Sequence, residues 1–495
     1  MRERHPTIVV TNTPHLASEA PDRLGVRGWL TLITLCGATF LIALDFSIVT
    51  VALPEIGRDL DFATTGDLQW VATACLLPTA SLLLLFGRVS DLVGRRRLFI
   101  LGIILFTGLS LMGGLAPSPA VLITARAGQG IAAAMIGPTA IALMTASFRE
   151  GPQRTKALAV NGALLSLGFV IGTIGGGLIT SGLSWRWTML IMVFLGAVIA
   201  LGAAVLLPKD GARIATRLDV PGAILAGGGL FALVYGISTG ADAGWTSGST
   251  LGSLTAAAVL IAAFLLVEAR HPAPLVSPEL LNRPTVKWSF VVGFVTFGMC
   301  GGTTVLLSLY MQDVLGYSAL ATGFGFLAEG ATALVAGTVA SKVIGALGTR
   351  RTMVLGLLVQ AVGTGFMVFL PADSNIPLLV VTSGAMGFGH VLAVVAFITT
   401  LTSGLRTDEQ GVAGALSQLP QFVGAIGVAG LAAIVTARSA ALASTTTAQL
   451  ATLGGLHAAT LTAGFVCIAG LLVALTLLRR ATPAPESAPA NSPAF

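Results

Sequence analysis

Four ionisable side chains lie where the sequence is otherwise apolar: Asp45, Arg126, Glu329 and His390. A charged group at the centre of a membrane helix costs about 2.5–3.5 kcal/mol on insertion scales, so each needs a compensating partner or a task. Asp45 and Arg126 each sit about six residues from the same-side end of their apolar runs, hence roughly 9 Å deep. A contact between them is geometrically open. Desolvation favours the protonated carboxyl and a neighbouring guanidinium the ionised one. Moving the arginine, or a bound substrate, would then switch a proton on and off. The competing reading is a static ion pair that fixes helix packing. Glu329 lies mid-segment with no basic residue close in sequence. That suits a proton- or cation-facing carboxyl, and equally a neutral acid bonded to a neighbouring helix. His390 follows Gly387 and Gly389, where packing explains it as well as proton binding does.

A second cluster sets an aspartate among four arginines and two glycines: Gly87-Arg88-Val89-Ser90-Asp91-Leu92-Val93-Gly94-Arg95-Arg96-Arg97. A turn at a membrane surface needs some basic residues, but not an aspartate between two glycines. Asp91 can accept hydrogen bonds from a helix N-terminus or pair with Arg95, and the glycines let the loop lie close to a neighbouring helix. A third pattern is Gly168-xxx-Gly172-xxx-Gly176, with Gly175 and Gly177 beside it. Small residues four apart clear one face of a helix, so two backbones can approach closely.

These residues must be held by spans that cross a bilayer. The chain has 495 residues, 55% apolar and only 10% charged, with a mean hydropathy of +0.90. A soluble fold could not cover its surface with so few charges; about 25% is usual. A spanning helix needs about 20 apolar residues. Fourteen such segments are expected, at 29–51, 69–88, 98–116, 120–147, 157–182, 186–207, 218–239, 248–267, 287–310, 319–343, 351–371, 376–402, 412–436 and 456–478. They are continuous runs without alternation, which disfavours a β-barrel. Pro78, Pro138 and Pro420 fall inside spans, where bundles tolerate kinks. Trp29, Trp70, Trp185, Trp187, Trp245 and Trp288 fall near span ends, as interfacial anchors would. The first run is too long for a leader core and is expected to be retained.

With the N-terminus in the cytoplasm, the basic residues fall on the inner side, as the positive-inside rule requires. Of 27 lysines and arginines, Arg58, Arg126, Arg186 and Arg438 alone fall elsewhere. This placement accounts for the net charge of +6 without nucleic acid as a partner. Cys36, Cys75, Cys300 and Cys467 form no CxxC, which excludes a disulfide scaffold and a cysteine metal site. No GxxxxGK[ST] is present, so the chain would not hydrolyse ATP. None of the five histidines belongs to HExxH, and short loops leave little room for an enzyme site.

The loop at Gly87–Arg97 resembles the signature between the second and third spans of the major facilitator superfamily, usually written G-x-L-a-D-r-x-G-r-k/r. Other stretches resemble its fourteen-helix drug:proton antiporter branch. Leu44-Asp45-Phe46-Ser47-Ile48-Val49-Thr50-Val51-Ala52-Leu53-Pro54 is similar to the first-span motif LDxTVVNVALP. Arg126-Ala127-Gly128-Gln129-Gly130 is similar to the fourth-span motif, whose arginine is implicated in proton transfer. Gly168–Gly177 resembles the antiporter motif GxxxGPxxGG, and Leu218-Asp219-Val220-Pro221-Gly222 opens the extra helix pair in the usual way. The chain departs at Thr173, where the motif has proline, and at Thr50, where it has asparagine. Ile191-Met192-Val193-Phe194 stands in place of the common INVP, and Ser341–Gly348 is a second-half copy of the loop signature without its aspartate.

The resemblance implies an all-α integral membrane fold of two six-helix bundles plus two inserted helices. The expected units are a cytoplasmic tail (1–28), a bundle (29–207), a linker with the extra helices (208–286), a second bundle (287–478) and a disordered cytoplasmic tail (479–495). Substrate would bind between the bundles, which rock for alternating access. Asp45, Arg126 and His390 would lie on helices facing the cavity, with Glu329 on a gate helix beside it. Gly87, Arg88, Asp91, Gly94 and Arg95 would form a cytoplasmic gate locked by Asp91, and Gly168, Gly172, Gly176 and Gly177 would pack the fifth span. The function implied is proton-coupled export of amphipathic or cationic drugs by a monomeric protein of a bacterial plasma membrane. Its partners would be a small-molecule substrate, protons and the bilayer, with no cofactor and no metal. Alternatives are an exporter of one endogenous metabolite or natural product, and a transporter-like membrane sensor.

Overall fold

The computed structural model describes residues 25–62, 65–210, 219–271, 274–406 and 409–476. Most of both expected tails, and Arg213, Arg217 and Leu218, lie outside the described residues.

Seventeen α-helices are described, and they contain fourteen segments long and apolar enough to span a membrane. The first eight segments correspond to α1 (Val26–Asp59), α2 (Thr65–Val93), α3 (Arg95–Gly114), α4 (Pro119–Ser147), α5 (Pro152–Gly182), α6 (Arg186–Leu206), α7 (Val220–Ala243) and α8 (Gly248–Glu268). A short α9 (Pro278–Asn282) precedes α10 (Pro284–Leu309), whose far end widens into a π-turn at Tyr310–Val314. The tenth segment is broken at Phe326 into α11 (Ala319–Gly325) and α12 (Leu327–Leu347). Then follow α13 (Thr349–Phe366) and α14 (Ile376–Leu401). The thirteenth segment breaks at Gly424 into α15 (Gln410–Val423) and α16 (Ala425–Leu442), and α17 (Ala448–Thr476) closes the chain.

Caps set several starts. Asp219 accepts from Gly222 N at the head of α7, Ser277 from Leu280 N at α9, and Asn375 from Leu378 N at α14. Two helices outrun their apolar cores. α1 begins at Val26, inside the expected tail, and continues past Pro54 to an exposed Glu55–Arg58 pair of 2.7 Å. α2 likewise extends to Thr65 and Val93.

α1 packs on α4, α5 and α6; α2 on α4; and α3 on α4 and α6. In the second half α10, α12, α13, α14, α16 and α17 form the corresponding group. α7 and α8 lie side by side, with α7 against α2 and α16. The two groups meet where α5 packs on α12 and α14, and where α2 and α4 pack on α15. The interior helices are α1, α4 and α14, with 72%, 83% and 67% of their apolar windows buried, against 22% for α6 and 17% for α8. Three of the four ionisable side chains thus sit on the helices where lipid cannot reach them and protein must satisfy them.

Candidate functional site

The Asp45–Arg126 contact is present. Arg126 Nη1 donates to Asp45 Oδ2 at 2.7 Å, and the two side chains are 1–3% exposed. The same nitrogen donates to Gln129 Oε1 at 2.9 Å, and Nε donates to the Val71 carbonyl of α2 at 2.9 Å. Gln129 Nε2 donates onward to Ser110 Oγ of α3 at 2.8 Å. The guanidinium therefore ties α1, α2 and α4 together and reaches α3 through Gln129. Asp45 Oδ1 is buried with no donor. A proton arriving there would break the ion pair, while Arg126 keeps Val71 and Gln129 as acceptors.

His390 lies within the second bundle. Thr296 Oγ1 of α10 donates to Gln360 Oε1 of α13 at 2.6 Å and stands 3.1 Å from His390 Nδ1. Gln360 Nε2 donates to the Thr296 carbonyl, which fixes its amide orientation. The hydroxyl has one hydrogen, spent on Gln360, so Nδ1 must be the donor to it. Phe297 packs edge-on to the imidazole at 5.1 Å between centroids.

Glu329 is placed differently from the mid-segment position expected of it. The break at Phe326 puts it in the first turn of α12, where the helix dipole complements a carboxylate. Thr304 Oγ1 of α10 donates to its Oε1 at 3.4 Å, and Oε2 is buried without a donor. Gly387 of α14 lies against its backbone, with no space for a side chain there. Among the described residues no cation is within ion-pair distance of it. The structure keeps Glu329 and His390 in the second half and Asp45 and Arg126 in the first.

The loop cluster joins the two halves at the basic end. Asp91 Oδ1 accepts from Arg95 (Nη2 2.8 Å, Nε 3.1 Å) and from the Gly411 amide at the head of α15 at 3.2 Å. A Cβ on Gly87 would stand 2.8 Å from both the Gly411 carbonyl and Ala415 Cβ. Arg88 Nε is buried without an acceptor. Nearby, Glu150 Oε1 accepts from Gly404 N at 3.2 Å. Gly94 takes φ +115° and lies against the Asp210 carboxylate.

Asp210 was not legible in advance. It accepts from Arg96 N at 2.9 Å and Arg97 N at 3.2 Å, so it caps α3 from 114 residues downstream. Neither Gln129 nor Asp210 announces itself in sequence; the one available signal was the Arg126-xx-Gln129 spacing, which puts both on one helix face.

On α5, Gly168 meets Phe40 and Ala43 of α1, Gly172 meets Ser47 Oγ and the Leu44 carbonyl, and Gly176 meets Ile48. Gly177, half-buried, lies one residue round the helix from this stripe. Thr173, on another face, stands where a Cβ on Gly323 of α11 would meet it. Trp185 departs from its expected place as an interfacial anchor. It is buried, because its indole N–H donates to Asp59 at 2.8 Å beneath the Arg186 guanidinium.

Paired helical groups, an inserted helix pair and buried ionic contacts define a multi-pass membrane protein built as a transporter. A family model described as Major Facilitator Superfamily matches residues 35–429, and the chain belongs to that superfamily. It is 37% identical to the cephamycin export protein CmcT of Amycolatopsis lactamdurans over 91% of this chain and 93% of that one. It is 36% identical to the puromycin resistance protein pur8 of Streptomyces alboniger, over 95% and 94%. Among solved structures, the human organic anion transporter MFSD10 (TETRAN) superposes with a TM-score of 0.64 at 16% identity, covering 91% of this chain and all of that one, a likeness of fold.

Proposed function

We propose that the protein is a proton-coupled antiporter that exports amphipathic or cationic antibiotic-like molecules across a bacterial plasma membrane by alternating access. The proposed units are the bundles at 29–207 and 287–478, the insert at 208–286, and tails at both ends. Both termini face the cytoplasm, and the protein works as a monomer.

The observation that carries this reading is the buried Asp45–Arg126 pair, with one Asp45 oxygen left without a donor. Removing one partner of a buried pair costs about 3–5 kcal/mol. One charge crossing 100 mV supplies about 2.3 kcal/mol. A single proton could not break an isolated pair at that expense. Arg126 retains Val71 and Gln129 as acceptors, which lowers the cost into the range that membrane voltage and a pH difference can supply. Protonation of Asp45 would free α1 from α4, and the glycine stripe of α5 would carry the displacement to the α5–α12 contact. The ties between α2, α4 and α15 at the basic end support a gate closed toward the cytoplasm. Glu329 and His390 would contribute polar groups of the second bundle to protons or substrate.

A second reading, export of one endogenous natural product, is favoured by the 37% identity to a protein named for cephamycin export.

The test is the chain in proteoliposomes and in an efflux-deficient bacterium, with a panel of dyes and antibiotics. Flux should follow an imposed pH difference and collapse with an uncoupler, and Asp45→Asn should insert normally without coupled efflux. Flux indifferent to both gradients, or normal efflux by Asp45→Asn, would overturn the assignment. Resistance restricted to one compound would favour the second reading.

A further inference from the structure

At the foot of the inserted helix pair three titratable side chains converge that have no part in the site above: Asp219 before α7, Glu268 ending α8, and His271 just beyond. The Asp219 side chain is fully buried and Glu268 is 3% exposed. Asp219 Oδ1 is occupied by the Gly222 amide at 2.8 Å, while among the described residues Oδ2 has no donor. Glu268 accepts from the Leu275 amide at Oε1 (3.1 Å) and the Val276 amide at Oε2 (3.2 Å). Asp219 Oδ2 and Glu268 Oε1 both press on Gly222, where a Cβ would collide with each of them, so the two carboxyls face the same small buried space.

Carboxylates have only acceptor atoms, so two that share one buried space can bond only through a hydrogen that neither possesses when ionised. Two buried like charges in contact also cannot both persist. We propose that Asp219 and Glu268 hold one proton between them, a proton-binding site separate from the Asp45–Arg126 pair.

The charged groups around it fit this assignment. His271 Nδ1 stands 3.7 Å from Asp219 Oδ2, beyond hydrogen-bond distance, and that side chain is 28% exposed. From α10, Lys287 shares with Glu268 the lining of a cavity of about 290 Å³, whose other walls include Leu265, Val276 and Leu281. α2 presents the Ser81 carbonyl to Gly227 of α7, and among the described residues neither α2 nor α16 brings an ion-pair partner to either acid. The cavity gives the Glu268 carboxyl a route for proton exchange with water.

The site brackets three chain segments. Asp219 holds the start of α7, Glu268 the end of α8, and the Leu275–Val276 amides begin the connector that leads through α9 into α10. With its proton the pair is a cohesive bond; without it two carboxylates repel across the base of the insert. The bond is therefore present at low pH and lost as pH rises. This end also carries the basic loops, so in the topology proposed above the pair would respond to cytoplasmic pH. The proton assignment itself does not depend on that topology.

The experiment uses the full-length protein in lipid nanodiscs. Infrared difference spectra across a pH titration read protonated carboxyl groups, and thermal denaturation is followed over the same range. In the wild type a protonated-carboxyl band should disappear on alkalinisation, and the denaturation midpoint should fall with it. Glu268→Gln, whose amide is a permanent donor to Asp219, should lose the band and hold its midpoint across the range. Asp219→Asn is the second variant, since its amide can donate to Glu268, and it should behave alike. His271→Gln and Asp45→Asn should both leave the band in place, the latter separating this result from the transport reading. The assignment is overturned if Glu268→Gln and Asp219→Asn both keep the wild-type band. It is also overturned if His271→Gln abolishes the transition, which would put the proton on the imidazole.

Discussion

The carboxylate of Asp210 occupies the space into which a side chain on Gly94 would project. Gly94 ends the α2–α3 turn at φ +115°, and Asp210 caps α3 through the amides of Arg96 and Arg97. The two features are one joint. A cap of this kind is worth about 0.5–2 kcal/mol, and backbone strain in a sparsely populated region costs about 1–3 kcal/mol. Gly94→Ala should therefore lower the denaturation midpoint by more than Asp210→Ala does. The double variant should lose less than the two single losses combined, because residues in contact do not add. Strict additivity would show that Gly94 is needed for its backbone angle alone.

Asp91 and Gly87 act on the other side of the same loop. Gly87→Val would force α2 and α15 apart, because the Gly411 carbonyl and Ala415 stand 2.8 Å from the new Cβ. Asp91→Asn keeps an acceptor for the Gly411 amide and loses the ion pair to Arg95. Both variants should slow turnover several-fold with little change in substrate affinity. A defect confined to affinity would place these residues at the binding site and not at the gate. Kinetics in proteoliposomes over a range of substrate concentrations separate the two.

Arg126 is held by its fork and not by charge alone. Its Nε and Nη1 reach three acceptors on three different residues, an arrangement a lysine cannot copy. Arg126→Lys should therefore impair folding yield and transport nearly as much as Arg126→Ala. Gln129→Leu should cost about 1–3 kcal/mol, since it strips one acceptor from a buried guanidinium and leaves the Ser110 hydroxyl without its Gln129 donor. Wild-type transport by Arg126→Lys would show that position 126 needs only a positive charge.

The spans were legible because lipid imposes length and composition on every one of them, and the ion pair because Asp45 and Arg126 lie at equal depth. What decides whether that pair can be broken was not legible. Val71 contributes only its carbonyl, which leaves no trace in residue type, and Gln129 reads as an ordinary polar residue. The interruptions at Phe326 and Gly424 were hidden for a related reason. Glycine is too common here, at 61 residues, for one more to mark a break. Trp185 misled because an interfacial tryptophan and one buried against Asp59 have the same position in sequence.

The break at Phe326 matters most for Glu329. In an unbroken helix its carboxyl would face neighbours along a wall; at the first turn of α12 it sits at the positive end of the helix dipole, with Oε2 lacking a donor. Ionised, it is a buried charge with a weak 3.4 Å bond to Thr304 and, among the described residues, no ion-pair partner, so a positively charged substrate would gain from approaching it. Glu329→Gln should then reduce transport of cationic compounds roughly tenfold, the effect of about 1.4 kcal/mol, and spare neutral ones. Thr304→Val should have a smaller effect of the same sign, because it removes a bond to the carboxyl and leaves the charge. Equal losses for cationic and neutral compounds would make Glu329 a residue of the α10–α12–α14 packing, where Gly387 already fits against it. Paired efflux assays with isosteric charged and uncharged dyes distinguish these outcomes.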